Sequence, residues 1–166
     1  MEQNDLVYAC CIMNPDGDSG VKGLVQITQP KAGGKTTITA HMSGLTPGKH
    51  GFHIHEFGNL LDGRKTAGAH YNPFNKTHGA PWKEERHVGD MGNVEADADG
   101  NVKFVLEDHL IQLTGETSVI GRTCVVHADE DDLGETDHPL SKTTGNAGAR
   151  LACGVIGISG PFEMPK

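Results

Sequence analysis

The chain has 166 residues, of which 36% are hydrophobic and 23 are glycine, and its formal net charge is −8. This length suits one domain with a proper core, and we predict a single domain over residues 1–166. The acidic balance, without any basic run, disfavours binding to nucleic acid or to an anionic membrane surface. No apolar stretch approaches the roughly 18 residues that cross a bilayer. We therefore expect neither nucleic acid nor a membrane as a partner.

The first five residues and the cysteines suggest the compartment. These residues are polar and acidic, and the apolar run after them is too short for a signal peptide. The cysteines form no Cys-x-x-Cys pair and are not evenly spaced, which disfavours a thiolate metal site or a disulfide scaffold. They are Cys10, Cys11, Cys124 and Cys153. We expect a cytoplasmic protein.

Short stretches of alternating apolar and polar residues predict β-strands along the chain. The first three are separated by turns and indicate consecutive antiparallel strands, and the turn at residues 97–100 makes a hairpin of the fifth and sixth. The eight predicted strands cover residues 6–13, 21–28, 35–42, 50–56, 91–96, 101–107, 121–127 and 151–158. This pattern predicts an all-β fold, an eight-stranded antiparallel Greek-key barrel or sandwich.

Two long segments, residues 57–89 and 128–149, lack strand periodicity and are rich in glycine. Structureless loops of such length are uncommon in compact domains unless they have a function or are held in place. We therefore predict two long functional loops.

The fourth predicted strand carries a His-x-His pair. Side chains alternate between the two faces of a strand, so His53 and His55 share one face while Phe52 and Ile54 share the other. Two imidazoles then point toward one place while two large apolar groups anchor the strand. An isolated His-x-His is short and common, so its meaning depends on ligands from elsewhere.

The first long loop supplies such ligands: His70, His78, His87 and Asp90. Three imidazoles and one carboxylate make a complete tetrahedral set for zinc, with no position left for a substrate. A closed site of this kind is structural, and it would hold in place a loop that has no core of its own.

His127 ends the seventh predicted strand. With His53, His55 and one loop histidine it would complete a site of four imidazoles. Nitrogen ligands in a flattened arrangement suit copper(II), and a distorted geometry can also hold copper(I). The residues therefore indicate a redox copper beside a structural zinc.

Six sequence blocks identify a known family. They are GFHIHEFG at 51–58, GAHYNP at 68–73, HGAP at 78–81, ERHVGD at 85–90, IGRT at 120–123 and GNAGARLACG at 145–154. Over essentially its whole length the chain resembles the eukaryotic copper/zinc superoxide dismutases. The resemblance implies dismutation of superoxide to dioxygen and hydrogen peroxide, with copper and zinc as cofactors.

The resemblance also implies which side chains hold each metal. Copper would be held by His53, His55, His70 and His127, and zinc by His70, His78, His87 and Asp90. His70 would bridge the two metals as an imidazolate and deliver a proton when the second superoxide is reduced.

Three further positions match family residues near the metals. Asp131 matches a carboxylate that links a copper ligand to a zinc ligand and fixes the imidazole orientation. Arg150 matches the arginine that orients the anion beside copper, a role that suits a permanently charged fork of donors. Thr144 matches the threonine that narrows the channel opposite this arginine. Four other histidines have no ligand match and are expected to be structural: His41, His50, His109 and His138.

The resemblance implies a homodimer as well, and a copper chaperone can be a further partner. The positions that match the family's two-fold contact are Phe57, Gly58, Ile120, Gly121, Val155 and Ile158.

The chain departs from the family at its disulfide, because Arg64 occupies the position of the cysteine that would pair with Cys153. That disulfide would close a loop of nearly 90 residues, worth roughly 4 to 5 kcal/mol in the chain-entropy model. We expect zinc and dimer contacts to order residues 57–89 in its place.

The channel mouth departs too. Two lysines that are common there in the family are replaced by Asp129 and Thr143, with Lys142 next to the second. Fewer positive charges predict a slower and less salt-sensitive enzyme.

Two other functions fit the same blocks less well. A copper-delivery protein with a dismutase-like fold is the first, but the chain has neither a Cys-x-x-Cys nor a C-terminal Cys-x-Cys. A zinc-only binding protein is the second, but it would not need the complete set of copper histidines.

Overall fold

The strands form a single antiparallel sheet in a computed structural model that describes residues 3–163, except for the side chains of Gln3 and Arg64. Within this range the chain begins with a 3-10 turn, Gln3–Asp5, and contains one α-helix, α1, Arg64–Ala67. The strands are β1 Leu6–Pro15, β2 Lys22–Pro30, β3 Thr36–Ser43, β4 Gly48–His55, β5 Asp90–Ala96, β6 Val102–Asp108, β7 Thr123–His127, β8 Arg150–Val155 and β9 Gly157–Ile158.

The sheet closes on itself as a barrel. Its strand order is β2-β3-β6-β5-β4-β7-β8-β1, and β1 also pairs with β2. The chain crosses over where β3 pairs with β6 and where β4 pairs with β7, which is a Greek-key connection. The predicted eight-stranded antiparallel barrel is therefore confirmed, with β9 as a two-residue addition beside β1.

The core consists of apolar side chains at alternate positions along the strands. Ile27, Ile38, Phe52 and Ile54 are all completely buried, as the period of two predicts. Burying each such side chain stabilises the fold by roughly 1.5–3 kcal/mol. Phe52 packs edge-on against Phe104 of β6, with ring centroids 5.8 Å apart. The anchoring face of the histidine strand therefore lies inside the barrel.

The last predicted strand is divided in the structure. Ile156 separates β8 from β9, because its backbone bonds to the loop before β7 instead of to β1. Its N–H donates to the carbonyl of Arg122 at 2.8 Å, and its carbonyl accepts from Gly121 N–H at 2.7 Å. The prediction of one continuous strand over residues 151–158 was therefore wrong, because hydrophobic alternation does not show which strand the backbone bonds to.

The first long loop is held against the barrel by a buried ion pair. Arg86, which is 1% exposed, donates to both carboxylate oxygens of Asp108 at 2.5 and 3.1 Å and to the carbonyls of Pro81, His87 and Val88. Removing one partner of such a buried pair typically costs about 3–5 kcal/mol. All four cysteines are free thiols. Among the described residues, then, the loop is held by noncovalent contacts.

Within residues 3–163, no helix is long and apolar enough to cross a membrane.

Candidate metal centre

Strand β4 places two histidines on the outer surface of the barrel, yet both are buried. His53 is 0% and His55 5% exposed, because the two long loops fold over this face. A register irregularity between Gly51 and His53 sets His53 opposite Asp90 on β5. The first residue of β5 is thereby brought beside the His-x-His pair.

Two further backbone pairings complete the assembly. A shift of register after Val126 sets His127 of β7 opposite Arg150 of β8. An isolated bridge joins His55 to His70 of the first loop. Bulges of this kind re-aim side chains and are common beside active sites.

One group consists of His53, His55, His70 and His127, and we call it the four-histidine group. Its ligand atoms all lie within 4.8 Å of one another. Buried nitrogens without a hydrogen-bond partner are His53 Nδ1, His55 Nε2 and His127 Nε2. Burial is the largest cause that lowers the pKa of all four imidazoles, that of His127 to about 4. Neutral imidazoles with buried lone pairs are the state that binds a transition metal.

A second group, which we call the Asp90 group, surrounds one carboxylate oxygen. Asp90 Oδ1 lies 3.0 Å from His70 Nδ1, 2.9 Å from His78 Nδ1 and 3.3 Å from His87 Nδ1. A tetrahedral zinc with bonds of 2.0–2.1 Å separates its ligand atoms by about 3.3 Å, so these spacings fit. The other oxygen, Oδ2, accepts from the backbone N–H groups of Gly79 and His87, which leaves Oδ1 for a metal.

Distance alone also groups His53 with His70, His78 and Asp90. His87 is the better fourth member of the Asp90 group, because its Nδ1 is 3.2 Å from His70 Nδ1 as well as close to Asp90. His53 instead offers its unpartnered Nδ1 to the four-histidine group.

The charges of the Asp90 group also fit a cation. Burial opposes a charged imidazole at His78, but hydrogen bonds to Asp131 and Asp90 raise its pKa to about 9. Burial would raise the pKa of Asp90, but the imidazoles of His70, His78 and His87 hold it below its usual range. The buried carboxylates of Asp90 and Asp131 are therefore stabilised by positive charge among the imidazoles, and a metal dication supplies more of it than a proton does.

Asp131 links the two groups. Its Oδ2 accepts from His53 Nε2 at 2.6 Å and its Oδ1 from His78 Nε2 at 2.7 Å, and all three side chains are fully buried. The pair of bonds aims Nδ1 of each ring away from Asp131. Gly145, at φ +72°, packs directly on the carboxylate where a β-carbon would collide with Asp131 and His78.

Backbone carbonyls orient two other imidazoles. His55 Nδ1 donates to Gly68 O at 2.8 Å and His127 Nδ1 to Gly148 O at 3.0 Å, so Nε2 of each ring faces the centre. Such outer contacts fix the tautomer of a metal-binding histidine.

A cavity of about 480 Å³, which we call the copper-side cavity, opens on the four-histidine group. It is lined by His55, His70, His127, Thr144 and Arg150 among others, and Arg150 is the single Lys or Arg among its described lining residues. Arg150 Nη2 donates to Gly68 O at 3.2 Å, the carbonyl that also orients His55. All the predicted site residues thus lie at this centre.

Two further residues support the centre: His50, which was expected to be structural without a stated partner, and Asn93, which sequence reasoning missed. His50 Nδ1 bonds His127 O at 2.8 Å and its Nε2 bonds Thr46 O at 2.7 Å, which fixes the backbone at His127. The alternation that puts His50 with Phe52 and Ile54 was a signal, because a core histidine needs partners. Asn93 exchanges two hydrogen bonds with the backbone of Asp131, and no sequence signal pointed to it.

Comparison with known proteins gives the family. The family model described as copper/zinc superoxide dismutase (SODC) matches residues 21–156. The curated protein "Superoxide dismutase [Cu-Zn] 2" of Mesembryanthemum crystallinum is 50% identical over 153 residues, which is 92% of this chain and 96% of that relative. This chain belongs to the copper/zinc superoxide dismutase family, and dismutation of superoxide with copper and zinc as cofactors is the activity that its two groups serve.

Proposed function

We propose that the four-histidine group holds copper, that the Asp90 group holds zinc, and that His70 belongs to both. The observation that supports this most is the set of buried, unpartnered nitrogens of His53, His55 and His127, beside a carboxylate oxygen ringed by three imidazoles. Imidazole nitrogens suit copper, and a closed set of three nitrogens and one oxygen suits zinc.

A copper ion held by His53, His55, His70 and His127 would supply one-electron redox chemistry, by which two superoxide ions and two protons become one dioxygen and one hydrogen peroxide. The protein's residues bind the anion, hold the imidazoles in place and manage the protons.

His70 is the residue we assign to proton delivery. Its Nδ1 is engaged with the Asp90 group, so Nε2 is the nitrogen that faces the copper-side cavity. When Nε2 is not a metal ligand, a proton on it would pass to the reduced anion and be regained from solvent. Asp131 holds the neighbouring rings of His53 and His78 in position during this proton transfer.

Arg150 is the residue we assign to substrate binding. Its guanidinium stays charged at any working pH and lines the same cavity as His55 and His127. Gly68 O fixes its position relative to His55. Thr144 lines the cavity with it and narrows the space that a small anion must enter.

Metal reconstitution tests the assignment. Protein loaded with copper and zinc is expected to dismutate superoxide, protein with zinc alone is expected to be inactive, and metal analysis is expected to give one copper and one zinc per chain. Copper-independent activity, or no activity in the fully loaded protein, would contradict it. A copper-delivery function is not favoured, because the whole anion site is present beside the copper ligands.

A homodimer is part of the proposal. Phe57, Val155 and Ile158 are 52%, 41% and 81% exposed, and Gly58 packs against Gly121 and Val155, so these residues form one apolar patch. Sedimentation is expected to show a dimer that Phe57→Glu dissociates, while Trp82→Glu, at an aromatic residue that is even more exposed, leaves it intact. A Phe57→Glu protein that still sediments as a dimer would contradict this contact.

We also propose the cytosol as the compartment, because four free thiols suit a reducing environment. A copper chaperone is the proposed source of the copper. Fractionation of cells and copper loading with and without such a partner test the two points.

A further inference from the structure

A second cavity also reaches the metal centre. It measures about 730 Å³ and is lined by His70 and His87 together with Lys76, Arg122 and Lys142. We call it the zinc-side cleft. Ala69, His70 and Thr143 line both this cleft and the copper-side cavity, so His70 belongs to the wall that the two cavities share.

The members of the Asp90 group differ in their access to solvent. The side chains of His78 and Asp90 are 0% exposed, whereas those of His70 and His87 are 3% and 8% exposed. The two that reach the surface are the two that line the zinc-side cleft. His87 does not line the copper-side cavity, which is bounded by His55 and His127 instead.

The geometry points to a separate exchange route: zinc enters and leaves through the zinc-side cleft, past His87, without passing through the copper-side cavity. This inference rests on the zinc assignment proposed above. It gives the two metals of one bridged centre independent openings, with His70 as the partition between them.

The charges of the zinc-side cleft make the route slow. Lys76 is only weakly paired, 3.9 Å from Glu85, and Lys142 Nζ donates to the carbonyl of Gly134 at 2.7 Å. Arg122 lies over the ring of Tyr71, 3.7 Å from its centroid. Three cations therefore line the path of a dication, and we expect them to act more strongly on an ion in the cleft than on one among the buried ligands.

Two carboxylates, Glu56 and Glu116, also line the zinc-side cleft and lower the barrier in part. The balance of charge then sets how long zinc stays bound. The first long loop has no disulfide, so it depends on bound zinc for its order. Slow release of zinc then keeps the loop ordered even when little free zinc is present.

The test is exchange of bound zinc in the copper–zinc holoenzyme for isotopically enriched zinc in solution, followed by mass spectrometry of the intact protein. Lys76→Gln is expected to speed exchange and Glu116→Gln to slow it, each by about two- to fourfold at low ionic strength, because one charge near a dication is worth that much across about 10 Å of water. Destabilisation alone would speed exchange in both variants, so opposite signs are diagnostic.

Two matched variants locate the route. Leu140→Glu makes the copper-side cavity more negative by one charge, as Lys76→Gln does in the zinc-side cleft. Lys103→Gln removes a positive charge at a cavity that shares no described lining residue with either opening. Both are expected to leave zinc exchange unchanged. Faster exchange in Leu140→Glu with no effect of Lys76→Gln would overturn the separate route, and so would equal rates in all four variants. A wild-type protein that binds no zinc would instead contradict the zinc assignment, which metal analysis before the exchange detects.

Discussion

The two halves of the metal centre are built from different parts of the fold. His53, His55 and His127 of the four-histidine group stand on β4 and β7, neighbouring strands of the barrel. In the Asp90 group, His70, His78 and His87 all lie in the long loop, and only Asp90 belongs to a strand. The first set is positioned by the ladder of the sheet, and the second by its own contacts around one carboxylate.

The difference shows which half depends on its metal. A site on rigid strands exists before the metal arrives, whereas a site on a loop is completed by the metal that joins its ligands. The chain has no disulfide to close the loop, so we expect zinc to contribute more to stability and copper more to activity. Substitutions in each half test this division.

The largest effect is expected from His127→Ala, which removes a strand-borne member of the four-histidine group. Dismutation should fall on the order of a hundredfold or more, since even outer-shell partners of metal ligands are worth 10- to 100-fold. Zinc content should stay near that of wild type. Activity assays with metal analysis check this, and His109→Ala, at an exposed histidine, is the control. Full activity in His127→Ala would contradict the copper assignment.

Asp131→Asn should affect both halves at once, because this carboxylate accepts from His53 and His78. An amide cannot accept both N–H groups equally well, so one ring turns. Affinity for each metal is expected to fall roughly 10- to 100-fold, as for other outer-shell partners. Competition with chelators of known affinity measures this. Loss at only one metal would show that Asp131 does not couple the two groups.

A covalent closure of the loop should substitute for part of the role of zinc. Oxidised Arg64→Cys, paired with Cys153, is expected to stabilise the zinc-depleted protein by about 2–4 kcal/mol. The gain should be smaller with zinc bound, because the metal has already ordered the loop. Denaturant unfolding of the oxidised and reduced forms of this one variant provides the control. An equal gain in both metal states would mean that zinc does not order the loop.

The smallest effect concerns steering on the copper side. Lys142 lines the zinc-side cleft and not the copper-side cavity, so it does not replace the lysine that the family has at the channel mouth. Asp129 packs against Gly148, which lines the copper-side cavity, and so brings a negative charge to its wall. Thr143→Lys should raise the rate a few-fold at low salt and steepen its decline with salt, in the direction of the 10- to 1000-fold steering known for charged clefts, this family's included. Thr114→Lys, at an exposed site elsewhere, should do neither. An unchanged salt dependence in Thr143→Lys would refute the steering account.

Sequence reasoning reached the barrel because alternation is a direct record of which face is buried, as at Phe52 and Ile54. It placed both long loops, but it missed α1 within the first and the break at Ile156. The break at Ile156 depends on Gly121 and Arg122, backbone partners far away in the chain that a local pattern does not contain. The helix α1 has only four residues, which is too short to give a periodic pattern.

The site was predicted from residue types and from the family resemblance, and its geometry was not. The register shifts at Gly51 and Val126, which set His53 opposite Asp90 and His127 opposite Arg150, leave no mark in the hydrophobic pattern. The pairing of Asn93 with Asp131 joins a strand to a loop 38 residues away. Such contacts arise only when the barrel has closed.

Scanning calorimetry of the holoenzyme and of its copper-depleted and zinc-depleted forms tests most directly whether the loop-borne half depends on its metal. A ligand present at about a thousand times its Kd contributes about 4 kcal/mol, and each kcal/mol moves the Tm of a chain of this size by about 2–4 °C. We expect zinc depletion to lower the Tm on the order of 10 °C and copper depletion to lower it by much less. Equal Tm values for the zinc-depleted and zinc-loaded proteins would contradict the account.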